Sequence, residues 1–305
     1  MVFQEKISAF MILRLVLQLI SGTALSGLVS ILAYRFKFLT LDGALSAFLL
    51  GSIIFGTGGV SFAILLLFFF FSSSLLSKYK QRKKAEYKTI FEKTGARDKN
   101  QVLANGSLAG VLALVYFIFP SSSVYYAYLV TLAAATADTW GTEIGILSPS
   151  APLSLKSFKR VSPGSSGGMS FLGTLSSFCG SFFLASSGFI PGVPPFPLRW
   201  NTFLIMILAG FSGSLIDSLL GAYLQAQYLC PVCNKITEKK SHCNLETKKI
   251  SGIFWLNNEW VNFFSSISGI ILFFILKKFV GICPLSYNDL VLKGGLLFQF
   301  CFKSG

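Results

Sequence analysis

The sequence predicts an all-α fold: a polytopic membrane bundle of about eight spans, with six or seven still open, in one transmembrane domain over residues 1–305. Composition is the first reason, since 53% of the residues are hydrophobic and only 12% are charged, whereas soluble domains carry about 25% charge. The second is that apolar runs near the ~20 residues of a membrane span alternate with short basic segments. No room is left for a large soluble domain. The excess of 26 Lys and Arg over 12 Asp and Glu, net +14, sits between the runs, where it sets topology and attracts anionic lipid. No nucleic-acid motif accompanies it, so no nucleic-acid partner is expected.

The first span is Ile7 to Ala33. It lacks a small-residue cleavage site before a polar region and is read as retained, not as a signal peptide. Leu39 to Ser77 is apolar throughout, with Gly56-Thr57-Gly58-Gly59 in the middle, which fits two antiparallel spans joined by a glycine turn. A basic segment at 78–100 follows. Val102 to Phe119 and Val124 to Ala137 form the next pair, broken by Pro120 and three serines. A polar, Gly-rich segment at 138–170 leads to Phe171–Ile190 and Phe203–Leu224, and a Cys-containing segment at 225–260 leads to the last span, Phe263–Val280. The tail from Gly281 is weakly hydrophobic and reads as interfacial.

Two spans between successive basic segments place residues 35–37, 78–99, 156–160 and 235–249 on one side, which the positive-inside rule makes the cytosol. The expected location is thus a membrane, with its identity open and its basic loops cytosolic. Asp42, Asn105, Asp138, Asp217 and Asn262 then fall at or near the cytosolic ends of their helices. Polar groups at such depth are costly and mark function, although Asp42 and Asn105, at span starts, equally suit helix caps.

Gly213, Asp217 and Gly221 recur every fourth residue, so one helix face carries an acid between small residues that admit a neighbouring helix. Asp138 and Glu143 are acids of a second site segment, ADTWGTEIG. Five residues separate them, about 140° on an ideal helix, so a shared ligand requires bending at Gly141. Downstream, Lys159 and Arg160 precede Pro163 and a run containing Gly164, Ser165, Gly167 and Gly168. Successive N–H groups at a helix start cradle anions, and flanking cations add charge-assisted contacts to phosphate. A flexible Gly/Ser linker is the competing reading. The run is neither a Walker A loop nor a dinucleotide fingerprint.

Cys230-x2-Cys233 resembles half of a zinc knuckle, and His242 with Cys243 supplies two further ligands. A structural Zn²⁺, a redox pair and unligated thiols are all open, though a reducing compartment disfavours a disulfide. Cys179, Cys283 and Cys301 lie in apolar sequence and read as packing residues.

Five ordered segments carry a family resemblance: RDKNQVLANG from Arg97, ATADTWGTEIG from Ala135, RVSPGSSGGMSFLG from Arg160, GSLIDSLLGA from Gly213 and NNEWVNF from Asn257. Over about Asp42 to Gly269 the chain resembles the transmembrane protein 19 family (domain of unknown function 92), which includes the plant phytyl-phosphate kinase. The resemblance implies kinship with membrane lipid kinases that use a nucleoside triphosphate, often CTP, to phosphorylate an isoprenoid alcohol or monophosphate. Most relatives have no assigned reaction. The family's loop usually reads G-T-N-G-G; here Gly164-Ser165-Ser166-Gly167-Gly168 keeps the hydroxyl at its second position and loses the amide at its third.

Residue chemistry and resemblance together suggest a prenyl-phosphate or prenyl-alcohol kinase with CTP or ATP as donor. Asp138, Glu143 and Asp217 are the catalytic candidates, with Asp138 and Asp217 on Mg²⁺. Asn105, Lys159, Arg160, Gly164, Ser165, Gly167, Gly168, Asn258 and Asn262 are the substrate-binding candidates. The bilayer and an isoprenoid lipid are the expected partners, and a homo-oligomer is open. The alternative is a transporter or channel in which Asp138 and Asp217 serve a cation pathway.

Overall fold

The computed structural model describes residues 2–80 and 95–281, with side chains from residue 12 onward. The helices are α1 (Val2–Arg35), α2 (Leu41–Lys78), α3 (Lys99–Ile118), α4 (Ser122–Gly145), α5 (Phe171–Ser186), α6 (Trp200–Tyr223) and α7 (Asn258–Phe279). Helix starts are capped by short polar side chains, as expected of Ser, Thr, Asp and Asn. Thr40 accepts from Gly43 N–H, Ser121 from Val124, Ser170 from Gly173 and Asn257 from Trp260. Asp98 and Gln101 form a reciprocal capping box at α3.

Helix α2 doubles back. Gly59 adopts φ 69°, ψ −161°, a conformation essentially confined to glycine. A straight helix rising ~1.5 Å per residue would carry Phe70 more than about 40 Å beyond Leu41. Instead the Phe70 ring lies 6.3 Å from that of Phe38, and Lys78 Nζ donates to the carbonyl of Phe36. At the turn, Gln18 of α1 donates to Gly56 O at 2.8 Å. The glycine cluster therefore makes the hairpin expected of it, with Gly59 as the break between two helical arms.

Helix α4 is the centre of the bundle, and Tyr125 through Ala137 are all buried. Its neighbours approach through small residues, the usual way for helices to pack in a membrane. A Cβ on Gly141 would lie 2.0 Å from Ser177 Oγ on α5, one on Gly210 2.8 Å from Ala133 Cβ, and one on Gly213 2.8 Å from Ala134 Cβ. The opposite end of the bundle is marked by Tyr126 donating to Pro197 O at 2.9 Å and Lys277 donating to Ser123 at 2.7 Å.

The stretches Ile12–Arg35, Leu41–Lys78, Lys99–Ile118, Trp200–Tyr223 and Asn258–Phe279 are long and apolar enough to cross a membrane. Helix α4 is polar at both ends, and α5 has 16 residues, shortened by a 3₁₀ turn at Ser187–Phe189.

Two expected loops contain regular structure, so the all-α description needs amending to mostly helical. Within 138–170, α4 continues to Gly145, and β1 (Leu153–Ser154) pairs with β2 (Gly168–Met169). Within 225–260 lies a small β lobe. Its β3 (Gln227–Leu229) pairs with β4 (Ile236–Thr237) and β7 (Lys248–Ser251), and β5 (Ser241–His242) pairs with β6 (Leu245–Glu246). Most of the basic segment at 78–100, and the tail beyond Gly281 with Cys283 and Cys301, lie outside the described residues.

Candidate functional site

Ala134 and Gly213 touch where α4 crosses α6. Residues four further along each helix lie on the same face one turn on: these are Asp138 and Asp217. Their carboxyl groups come within hydrogen-bonding reach of each other, and the Ser265 hydroxyl of α7 lies beside Asp217. Asp217 Oδ2 is buried with no hydrogen-bond partner. Facing carboxylates repel unless a proton or a cation lies between them, and a partnerless buried carboxylate oxygen suits a cation.

Both acids open into a solvent-connected cleft of about 130 Å³ that the Gly164–Gly168 loop also lines. Backbone bonds fix the loop: Gly167 O accepts from Leu155 N–H at 3.0 Å, and Gly168 N–H donates to Ser165 O at 2.9 Å. Gly164 has φ 87° and Gly167 φ 69°, and a Cβ on Gly167 would lie 2.3 Å from that of Ala222. The loop thus lies directly on the end of α6, next to Gly221; glycine is required at 167 by that close approach together with its positive φ, and at 164 by its positive φ alone. Hydroxyls of Ser170, Thr174, Ser177, Ser214 and Ser218 add polar lining; Ser177 and Ser214 bond each other at 3.1 Å.

The other candidates distribute unevenly. Gly164, Ser165, Gly167, Gly168 and Asn258 line the cleft. Glu143 does not, because α4 stays helical past Gly141; Glu143 instead faces Arg97 electrostatically. Lys159 and Arg160 are exposed on the β1–β2 connection, with Arg160 donating to Ala151 O at 3.4 Å. Asn105 bonds back to Gln101 O at 3.0 Å within α3. Asp42 accepts from Thr40 and Lys99 N–H near the starts of α2 and α3, a structural role. Asn262 lies outside the cleft lining, its Oδ1 buried without a partner.

Two of the lining residues that the sequence did not single out stand apart from the hydroxyls. Glu238, just after β4, accepts a 2.7 Å hydrogen bond from Ser166 on the glycine loop. Gln225, 4% exposed, buries Nε2 without a partner. The described lining holds three carboxylates, Asp138, Asp217 and Glu238, and no Lys or Arg.

The β lobe gathers Cys230, Cys233, His242 and Cys243, whose ligand atoms all lie within 4.8 Å of one another, four donors that suit a metal ion. The Cys233 backbone N–H outweighs burial and brings the Cys230 thiol down to about 6, with His242 adding to the shift.

Comparison with known proteins places these features in context. Residues 24–270 match the family described as "Integral membrane protein DUF92". The chain is 31% identical to Protein PGR of Arabidopsis thaliana over 269 residues, covering 81% of this chain and 92% of that one. It is 28% identical over 215 residues to an uncharacterized membrane protein of Methanocaldococcus jannaschii (70% and 82% covered). It is 26% identical over 250 residues to Protein VTE6, chloroplastic, of Arabidopsis thaliana (79% and 66% covered). No solved structure matches it.

Proposed function

This chain belongs to the DUF92 family of multi-pass integral membrane proteins, and from that premise we propose that it is a nucleoside-triphosphate-dependent kinase of prenyl monophosphates or prenyl alcohols. The observation that carries the reading is the meeting of Asp138, Asp217 and the Gly164–Gly168 loop on one cleft at one end of the bundle. Phosphoryl transfer demands positioning and charge neutralisation more than covalent chemistry by the protein, and this cleft supplies backbone amides, hydroxyls and carboxylates.

A cleft whose charged side chains are all carboxylates repels a polyphosphate unless a divalent cation intervenes. Asp138 and Asp217 are the residues that would hold Mg²⁺, which neutralises phosphate oxygens when bound. The glycine loop presents its backbone to the phosphates of CTP or ATP. Ser166, held by Glu238 at 2.7 Å, keeps the loop against the cleft. Lys159 and Arg160, off the cleft wall, contribute long-range attraction only. For a monophosphate acceptor no strong base is needed, in keeping with the absence of His from the lining.

In this reading the bundle crosses the bilayer eight times, the two arms of α2 counting separately, with the basic connections and the cleft on the cytosolic side where nucleotides are. The prenyl tail stays among the spans, near Phe171, 83% exposed at the start of α5.

Phosphate transfer from labelled CTP or ATP to phytyl, farnesyl and geranylgeranyl alcohols and monophosphates, by purified protein in detergent, tests the proposal. A labelled prenyl product is expected. No transfer across the panel by folded protein overturns the reading and makes ion flux in liposomes the next assay.

A further inference from the structure

The β lobe poses a physical problem of its own. Its strands are two to four residues long, and Val232, Ile236, Leu245 and Ile250 are each 45–57% exposed. So little apolar burial does not hold a lobe of this size together, and small units of this kind generally need a metal or a disulfide. The cysteines here are free.

Two tight turns converge instead. In the first, Cys230 N–H donates to Lys235 O and Asn234 N–H donates to Cys230 O, each at 3.0 Å, with Asn234 in the left-handed region at φ 52°. In the second, Cys243 and Asn244 have φ 53° and 60°. Asn visits this region readily, but a cysteine there is uncommon, and the two turns bring the Cys and His donors to one point. Nδ1 of His242 lies 3.5 Å from Cys233 Sγ and 3.2 Å from Cys243 Sγ. Tetrahedral zinc, with bonds of about 2.3 Å to sulfur and about 2.0–2.1 Å to nitrogen, separates such pairs by about 3.5 Å.

Glu238 sits between the two turns. The β3–β4 pairing of Tyr228 with Thr237 holds it from one side. From the other, Thr247 bonds Lys239 O at 2.7 Å through its hydroxyl and Lys240 O at 3.0 Å through its N–H. The carboxylate then reaches Ser166 on the glycine loop.

We propose that Cys230, Cys233, His242 and Cys243 bind one Zn²⁺, and that this ion pins the lobe so that Glu238 holds the glycine-rich loop against the cleft. Zinc is the structural element of a strap that spans from the β lobe to the loop, and Glu238 is a positioning residue. The zinc site itself stands independently of the kinase reading.

The test uses full-length protein purified without a polyhistidine tag. Elemental analysis is expected to find about one zinc per chain, lost in Cys233→Ser and His242→Ala. Cobalt-loaded protein is expected to show the intense visible bands of tetrahedral thiolate coordination, which a misfolded variant cannot mimic. Hydrogen exchange across 163–168 is expected to accelerate several-fold when zinc is removed with a mercurial and chelator, and in Glu238→Gln with zinc still bound. Folded wild-type protein that carries no zinc after expression with zinc supplied, or variants with unchanged content, overturns the site. Unchanged exchange in the glycine loop after zinc removal overturns the strap.

Discussion

A Cβ placed on Gly213 would lie 2.8 Å from that of Ala134, so α6 meets α4 with no space for a side chain one turn before each helix presents its carboxylate. The separation of Asp138 and Asp217 is thus set by the absence of an atom. Gly213→Val should wedge the helices apart at a cost of about 1–3 kcal/mol, lowering the thermal midpoint in detergent and weakening cation binding. Gly27→Ala is the control, since its new Cβ meets Phe48 only at an ordinary 3.6 Å. Equal effects from the two changes would remove the special role of the α4–α6 crossing.

The hairpin in α2 depends on Gly59. Gly59→Ala should destabilise the protein by about 1–3 kcal/mol, because φ 69° with ψ −161° is denied to residues with a Cβ. Thermal unfolding monitored by circular dichroism reads this directly. A neutral substitution would mean that the chain does not reverse there.

At Gly167 the conformation and the space act together. Gly167→Ala meets both a positive φ and Ala222 Cβ at 2.3 Å, so the loop must lift from α6. The expected outcome is a raised KM for the nucleotide with the helical content unchanged. Unaltered nucleotide kinetics would argue that the loop does not touch phosphates.

Charge near the cleft should count by position, not by sequence proximity. Lys159→Ala with Arg160→Ala should change kcat/KM less than about tenfold, the range of a screened surface contact. Asp217→Asn should lower it by at least about a hundredfold, the scale of losing a key electrostatic group. The reverse ranking, measured by phosphate transfer, would place the phosphates on the Lys159–Arg160 segment and not on the glycine loop.

Much of this arrangement is legible in the sequence, since span length, glycine clusters and buried acids obey local rules. The four-residue spacing of Gly213, Asp217 and Gly221 announced a close helix contact, and Gly56 to Gly59 announced a reversal. The spacing of Asp138 and Glu143 already carried the geometric objection that the unbroken α4 bears out. Tertiary placement is harder. Glu238 lies in the run TEKK, which has the appearance of a solvated loop, and only the pairing of β3 with β4 carries it to Ser166. Lys159 and Arg160 adjoin the glycine loop in sequence, yet they sit exposed on the long β1–β2 connection, off the cleft lining. Short strands such as β4 to β6 have too few residues to show alternation, so the lobe reads as irregular until the Cys/His cluster gathers it.

The central claim is that Asp138 and Asp217 hold one divalent cation opposite the glycine loop. Electron paramagnetic resonance of Mn²⁺ added to the purified zinc-loaded protein with CTP, compared with Asp138→Asn and Asp217→Asn, tests it most directly. The account predicts about one tightly bound Mn²⁺ per chain in the wild type and its loss in both variants. Binding of the same stoichiometry and affinity in both variants would contradict it.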